Sequence, residues 1–454
     1  MGVMRSDMRR YVICGLGTRS VAHFLLPLLG IKSEFSSRDY SGVGEVVGIL
    51  DIDRERVDEM NRKLSREIPY YAPDEFEKMV METRPDEVLV GARDCDHAQY
   101  ILAGLRHDLD VVVEKPMVTT AADACAVLEA EKASRGRVRV AFNVRYSPKM
   151  IAAKRFIQNG GLGVITNIAA EFCINTKHGS SYFYRWNRER RFSGGLSIHK
   201  ETHQFDLLSW LINDRPETIF AFGKLHYFGP DGLLRPRDAE GNTYPPEEEK
   251  RRRPYFQKHL AVEFSPAENP GTNWDPLRLP YNKQYPPTVP RYIYDKEIDI
   301  EDTYSAVVQY RRGASLSLGV NFSAPFSRQH IGINGSKGRL QIILGGEPID
   351  KGDGSELLPV WKELRFYPLF GGSEDLAVST PASGGHGGGD ELIQEDMFNG
   401  GKGNTFLQDL ECCSGALDGA YAVATGEAVW RSVVEKRPFT INELLGELAK
   451  QPTL

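Results

Sequence analysis

With 454 residues the chain is too long for one ordinary hydrophobic core, so two domains are expected. Apolar residues at 41% and charged residues at 26% are the mixture of a soluble globular protein and exclude disordered, collagenous and membrane-spanning classes. A net charge of −6 argues against a nucleic-acid partner, which would require a basic surface. No run reaches the about 18 apolar residues of a membrane helix. The basic start Met1–Arg10 leads into a segment with Gly15 and Gly17 that reads as strand and turn, not as a secretion signal. The six cysteines are scattered, Cys412 and Cys413 are adjacent and no CxxC pair occurs, so reduced thiols in a cytoplasmic protein are expected.

Residues 8–145 alternate strand and helix signals, the pattern of a doubly wound parallel sheet. Tyr11–Cys14, Val46–Leu50, Glu87–Val90, Val111–Val113 and Val138–Phe142 read as apolar strands. Val57, Met60 and Leu64 mark one helical face between them, and Ala124, Val127 and Leu128 another. From 146 to 454 the pattern changes. A helix through Met150, Ala153 and Ile157 stops at Asn159–Gly160–Gly161, and Ile168, Ala170, Phe172 and Ile174 then alternate as in a half-buried strand. The same alternation returns over Tyr304–Tyr310 and Leu316–Phe322, with a hairpin turn at Arg312–Gly313 and a further turn from Asn334–Gly335. An α+β domain with a mainly antiparallel sheet is expected. Residues 229–300 and 371–404 read as long irregular loops, of the kind that serve a site or a subunit contact, and Glu247–Arg253 as a solvated part of the first. Ala416–Val434 reads as a late helix.

Gly15–Leu16–Gly17–Thr18–Arg19–Ser20 follows the first strand and opens a helix. In a dinucleotide fold the first glycine allows the tight turn, the second admits pyrophosphate to the backbone, and the helix start supplies amide donors. Ser20 is small enough to keep the helix close to the sheet. Asp51 ends the second strand, where a carboxylate receives the ribose hydroxyls and repels a 2′-phosphate, favouring NAD; Arg19 and Arg54 keep NADP open. Its distance from the glycines exceeds the usual ~20 residues because 31–44 reads as an insertion. A helix-capping role suits Asp53 better than Asp51.

Val111–Val112–Val113–Glu114–Lys115–Pro116 is a buried strand ending in a charged pair. At the carboxyl end of a parallel strand Lys115 faces the ligand crevice, and partial desolvation lowers its pKa toward that of a usable base. Pro116 restricts Lys115 to extended geometry.

Gly15-x-Gly17-x-x-Ser20, Asp51, Glu114–Lys115–Pro116 and Gly194–Gly195…His203-x-x-Asp206, in that order, resemble the glucose–fructose oxidoreductase / inositol dehydrogenase / rhizopine-catabolism (Gfo/Idh/MocA) family. The resemblance implies an N-terminal Rossmann domain, a C-terminal α+β domain with an open, mainly antiparallel sheet, and a homo-oligomer. It also implies NAD- or NADP-linked oxidation of a sugar or cyclitol hydroxyl. Glu114 and Lys115 would lie beside the nicotinamide ribose, with Lys115 reaching substrate; His203 would serve as acid/base, and His97 would lie on the nicotinamide side.

The sequence departs from the family where His199 replaces the usual acidic residue four positions before His203, and Glu201 replaces a glycine. On one helix His199, His203 and Asp206 would share a face. That leaves a second active-site histidine, a metal site completed by His178 or His386, or ordinary hydrogen-bonded histidines. Asn143, Arg145 and Tyr146 follow the fifth strand, where polar groups line the cleft or join the domains. Lys177–Trp186, with His178, Arg185 and Trp186, reads as a loop whose donors and aromatics suit a polyhydroxylated ring or a buried cluster, and His386–Asp390 as a lid. The expected reaction is hydride transfer from a hydroxyl-bearing carbon to NAD⁺, with Lys115, His203 and His199 handling the proton and no metal required. A glycosidase that oxidises its substrate transiently, and an NAD-binding regulator without catalysis, are the alternatives.

Overall fold

The computed structural model describes residues 8–450 apart from 34, 253, 255–274, 286–290, 346–348, 351–355, 358–362, 379–387 and 400–406. The first sheet takes six strands from the N-terminal part of the chain: β1 (Arg9–Cys14), β2 (Gly44–Leu50), β3 (Tyr70–Tyr71), β4 (Glu87–Val90), β5 (Asp110–Val113) and β6 (Val138–Val140), and a seventh from near the C-terminus. β4 and the valines of β5 are buried on both faces, as a parallel sheet clad by helices requires.

The second sheet contains β7 (Ile165–Asn175), β8 (Pro216–Lys224), β9 (Thr303–Tyr310), β10 (Ser315–Ala324), β11 (Arg328–Gly335) and β12 (Gly338–Gly345). After a small ribbon, β13 (Ile349–Asp350) with β14 (Glu356–Leu357), come β15 (Glu363–Pro368), β16 (Glu374–Asp375), β17 (Ser414–Gly415) and β18 (Phe439–Thr440). The first sheet has the order β17-β6-β5-β4-β1-β2-β3 and the second β16-β15-β12-β11-β7-β10-β9-β8-β18. The first is parallel except for β17, which pairs antiparallel with β6. The second is antiparallel except where β10 runs parallel to β7. β9 alternates buried and exposed positions, so one face packs on helices while the other stays open, with Val307 of β9 and Phe222 of the neighbouring β8 exposed on it. Among the described residues no helix is long and apolar enough to cross a membrane.

The strand order reverses at β1, flanked by β2 and β4, and so sets the crevice at the carboxyl ends of these strands. Four local expectations are corrected. The stretch from Lys177 is helical over Thr176–Tyr184, because Asn175 Oδ1 caps the His178 N–H at 2.8 Å and Gly179 lets the helix lie against the Phe322 carbonyl of β10. The charged run forms the helix Pro246–Arg252, with proline at its start and three glutamates in its first turn. Helix Gly389–Asn399 lies inside the glycine-rich loop and docks on the insertion, where Ser36 Oγ donates to Gln394 Oε1 at 2.7 Å. His199 and His203 do not share one helix. The N–H groups of Lys200 and Glu201 both reach the Leu196 carbonyl at 3.0 Å, which widens the turn and separates helix Leu196–His199 from helix Thr202–Ile212.

Candidate active site

A cleft of about 420 Å³ runs from the glycine turn across the β4 and β5 ends to the second domain. Gly15 adopts φ +90°, and a Cβ there would meet the Ala92 Cα at 2.4 Å. Gly17 caps the helical stretch 18–28, whose first N–H groups receive no side-chain cap and open toward the cleft. Ser20 is buried, and a Cβ on Gly91 would lie 2.2 Å from its Oγ, so Ser20 fits the helix against the sheet. The uncapped helix start and the absence of a side chain at Gly17 fit a dinucleotide pyrophosphate. Gly15→Ala is expected to abolish NAD binding, because it adds left-handed strain of about 1–3 kcal/mol to a backbone clash; titration calorimetry with NAD⁺ checks this, and wild-type affinity would refute it.

Asp51 accepts the Leu16 N–H at 2.6 Å with one oxygen and the Asp53 N–H at 2.8 Å with the other. It therefore braces both the glycine turn and the start of helix Arg54–Leu64. Asp53, not Asp51, occupies the N-cap position of that helix, as expected, but makes no side-chain capping bond. Burial raises the Asp51 carboxyl above its ordinary pKa, against the Leu16 N–H and Arg56. Arg54 is exposed and pairs with Asp58, whereas Arg56, which sequence reading missed, is buried. It donates to the Leu16 carbonyl at 2.5 Å, pairs with Asp275 at 3.1 Å and lies over the Tyr281 ring at 3.6 Å. Tyr281 OH also meets Thr18 Oγ1 at 2.5 Å. Residues 275–285 of the long loop thus strap the glycine turn.

Arg19 pairs with Glu114 at 3.2 Å and Asp390 at 3.3 Å. His97 is buried, its Nδ1 2.9 Å from the Pro116 carbonyl and its Nε2 3.1 Å from that of Ala92, and so joins the β4 and β5 loops beneath Lys115. The Lys115–Pro116 bond is cis. Lys115 Nζ donates to the His199 carbonyl at 2.9 Å, and burial, followed by the Lys200 ammonium, pushes it down to about 8. His199 Nδ1 lies 2.5 Å from Asp94 Oδ2, and the rings of Tyr182 and Trp186 meet it edge-on at 5.7 and 5.6 Å. Burial lowers the imidazole pKa more than Asp94 raises it. With a carboxylate at Nδ1, the proton sits there and Nε2 is left as an acceptor. His203 lines the same cleft and packs edge-on to Phe142.

Asn143, His178, Arg185 and Trp186 also line the cleft. His178 stacks on Tyr182 and meets its hydroxyl at 3.0 Å. Arg145, Tyr146 and Asp206 do not. Arg145 Nε donates to Asp206 Oδ2 at 2.7 Å and a second nitrogen lies 3.4 Å from Asp418, while Tyr146 OH donates to Asp396. These groups join the domains below the cleft floor. Among the described residues no three metal-ligating side chains converge, and His386 lies outside the described residues. Sequence reading missed Asp94, Asn187, Lys200 and the Tyr281–Tyr285 strap as cleft residues. Asp94 alone had a local signal, its place just after β4; the others depend on chain folding back from afar.

The chain matches the NAD-binding Rossmann-fold model of the Gfo/Idh/MocA oxidoreductases over residues 9–142 and that family's C-terminal alpha/beta domain over 154–441. YteT of Bacillus subtilis (strain 168), named as an oxidoreductase, is 39% identical over 444 residues, 96% of this chain and 99% of YteT. The inositol 2-dehydrogenase of Rubrobacter xylanophilus is 24% identical over 226 residues, 48% of this chain and 57% of that enzyme. The WlbA dehydrogenase from Bordetella pertussis, solved with NADH and UDP-GlcNAcA, shares the fold with a TM-score of 0.62 at 16% identity, over 96% of this chain and 99% of that one. With both domains matched in order around a glycine turn and a strand-end lysine, the chain belongs to the Gfo/Idh/MocA family of NAD-binding oxidoreductases.

Proposed function

We propose that the protein oxidises a hydroxyl of a sugar, cyclitol or glycoside with NAD in preference to NADP. The observation that carries this reading is the 2.9 Å bond from Lys115 Nζ to the His199 carbonyl, which holds a strand-end lysine and an aspartate-oriented histidine in the cleft of the glycine turn. The turn and the helix start would hold the pyrophosphate, and Asp51 the ribose hydroxyls. Among the described residues the arginines nearest Asp51 and the glycine turn are engaged by carboxylates, Arg56 by Asp275, Arg19 by Glu114 and Arg54 by Asp58, which favours NAD. A bound nicotinamide supplies the hydride acceptor. Lys115 Nζ, as the neutral amine, takes the hydroxyl proton as the carbonyl forms. His199 Nε2 and His203 orient that hydroxyl, and Asp94 keeps His199 in the accepting tautomer.

The neutral amine is the active form, so kcat/KM for oxidation is expected to rise about tenfold per pH unit below about 8 and to level off above it. Lys200→Gln removes the nearest like charge and is expected to move that limb upward. A flat profile would remove Lys115 from the proton step. NADH absorbance with a panel of polyols, sugars and sugar acids tests the reaction; a protein that binds NAD⁺ but turns over no panel member would overturn it.

The strap favours a second reading. Tyr281 against Thr18 and Asp275 against Arg56 close over the glycine turn, an arrangement suited to a cofactor kept through successive cycles. Such a site serves a glycosidase that oxidises a ring hydroxyl, eliminates the aglycone, adds water to the resulting unsaturated ketone and returns the hydride. Aglycone release without net NADH would select this reading.

A further inference from the structure

The acidic groups that line the cleft already have partners. Asp51 and Asp53 accept backbone N–H groups, Asp94 holds His199, Asp96 holds Arg93 and Glu114 holds Arg19. Arg56, a further lining cation, pairs with Asp275. Three other cations are left. Lys115 bonds only a carbonyl, and neither Arg185 nor Lys200 has a carboxylate within ion-pair distance among the described residues.

These charges cluster around His199. Lys200 follows His199 directly, and its charge depresses both Lys115 and His199. Arg185 precedes Trp186, whose ring meets His199 at 5.6 Å, and its Nε is buried without a hydrogen-bond partner among the described residues. The Glu201 carboxyl is buried behind Lys200, outside the cleft wall, and burial holds it up at about 7, so it neutralises them only in part. Unpaired like charges in a concave, poorly solvated wall repel one another and are relieved by an anion. Two buried acceptors, Asn143 Oδ1 and Asn187 Oδ1, also line the cleft and lack donors among the described residues. They suit the hydroxyls of a polyol.

The geometry points to a polyhydroxylated carboxylic acid, a hexuronic acid or its glycoside, as the substrate class, with the carboxylate held by Arg185 and Lys200 and hydroxyls held by Asn143 and Asn187. Arginine is suited to the carboxylate because its planar fork gives paired, charge-assisted hydrogen bonds. This rests on the oxidoreductase reading of the same cleft.

The test is calorimetric binding to the full chain saturated with NAD⁺, using gluco-, galacto- and manno-configured hexuronates, each against its neutral hexose. At least one uronate is expected to bind roughly tenfold to a hundredfold more tightly than its hexose, the range of a charge-assisted hydrogen bond. Arg185→Gln is expected to collapse that ratio toward unity, and Arg185→Lys to retain part of it. The proposal is overturned if no uronate is preferred, or if R185Q keeps the ratio. It is overturned too if R185Q weakens NAD⁺ instead, since the anion it serves would then be the cofactor's pyrophosphate. NADH formation in the same samples separates the two readings. A uronate bound preferentially but never oxidised keeps the substrate class and removes the dehydrogenase; a hexose oxidised as efficiently as its uronate does the reverse.

Discussion

Replacing Lys115 by methionine is expected to lower turnover on the order of 10²–10⁴-fold while NAD⁺ still binds, the loss typical of a positioned general acid or base. Methionine keeps the apolar stem and removes the amine proposed to take the proton. The carbonyl of His199 then loses its donor, so the pH limb near 8 should vanish along with the rate. Single-turnover NADH formation beside NAD⁺ titration separates chemistry from binding. Turnover within a few fold of wild type would show that Lys115 only shapes the cleft and that His199 or His203 carries the proton. Asp94→Asn offers a graded comparison, since it keeps a hydrogen-bonding group at His199 Nδ1 but removes the charge that orients the ring.

The second large effect concerns stability. Asp206→Ala leaves the buried Arg145 guanidinium with Asp418 at 3.4 Å as its remaining carboxylate. Breaking one side of a buried ion pair typically costs 3–5 kcal/mol, and the surviving Asp418 places the expected loss at about 3 kcal/mol. Burial raises the Asp206 carboxyl to about 6 even beside Arg145, a sign that desolvation outweighs the attraction. The double variant Arg145→Met with Asp206→Leu is therefore expected to recover most of the loss, because it removes both buried charges together. Denaturant unfolding of the two variants checks this. An unchanged midpoint for Asp206→Ala would mean that water reaches the pair.

Local chemistry announced the glycine-turn end of the cleft. Gly15, Gly17 and Asp51 lie at strand ends, and each has its role because of the turn or strand beside it. Lys115 was legible for the same reason: three successive valines must be buried, and the charged pair Glu114–Lys115 must emerge at their end. The second domain was legible as alternating strands, since each exposes one face.

The histidine pair was not legible in this way. Helical spacing put His199, His203 and Asp206 on one face, but the bond from Glu201 N–H back to Leu196 breaks the helix and sends Asp206 to Arg145. Arg145, Tyr146 and Asp206 looked like cleft residues because they follow the domain crossing, and only packing showed their partners to be Asp418, Asp396 and one another. By itself, then, the sequence determined the two-domain plan, the glycine turn and the emergence of Lys115, because periodicity and backbone conformation act over a few residues. The tertiary structure decided the company Lys115 keeps: Asp94 from the β4 loop, His199 and Lys200 from the second domain, and a strap from residues 275–285. Contacts between residues so far apart in the chain depend on how the two domains pack, and no local pattern encodes that.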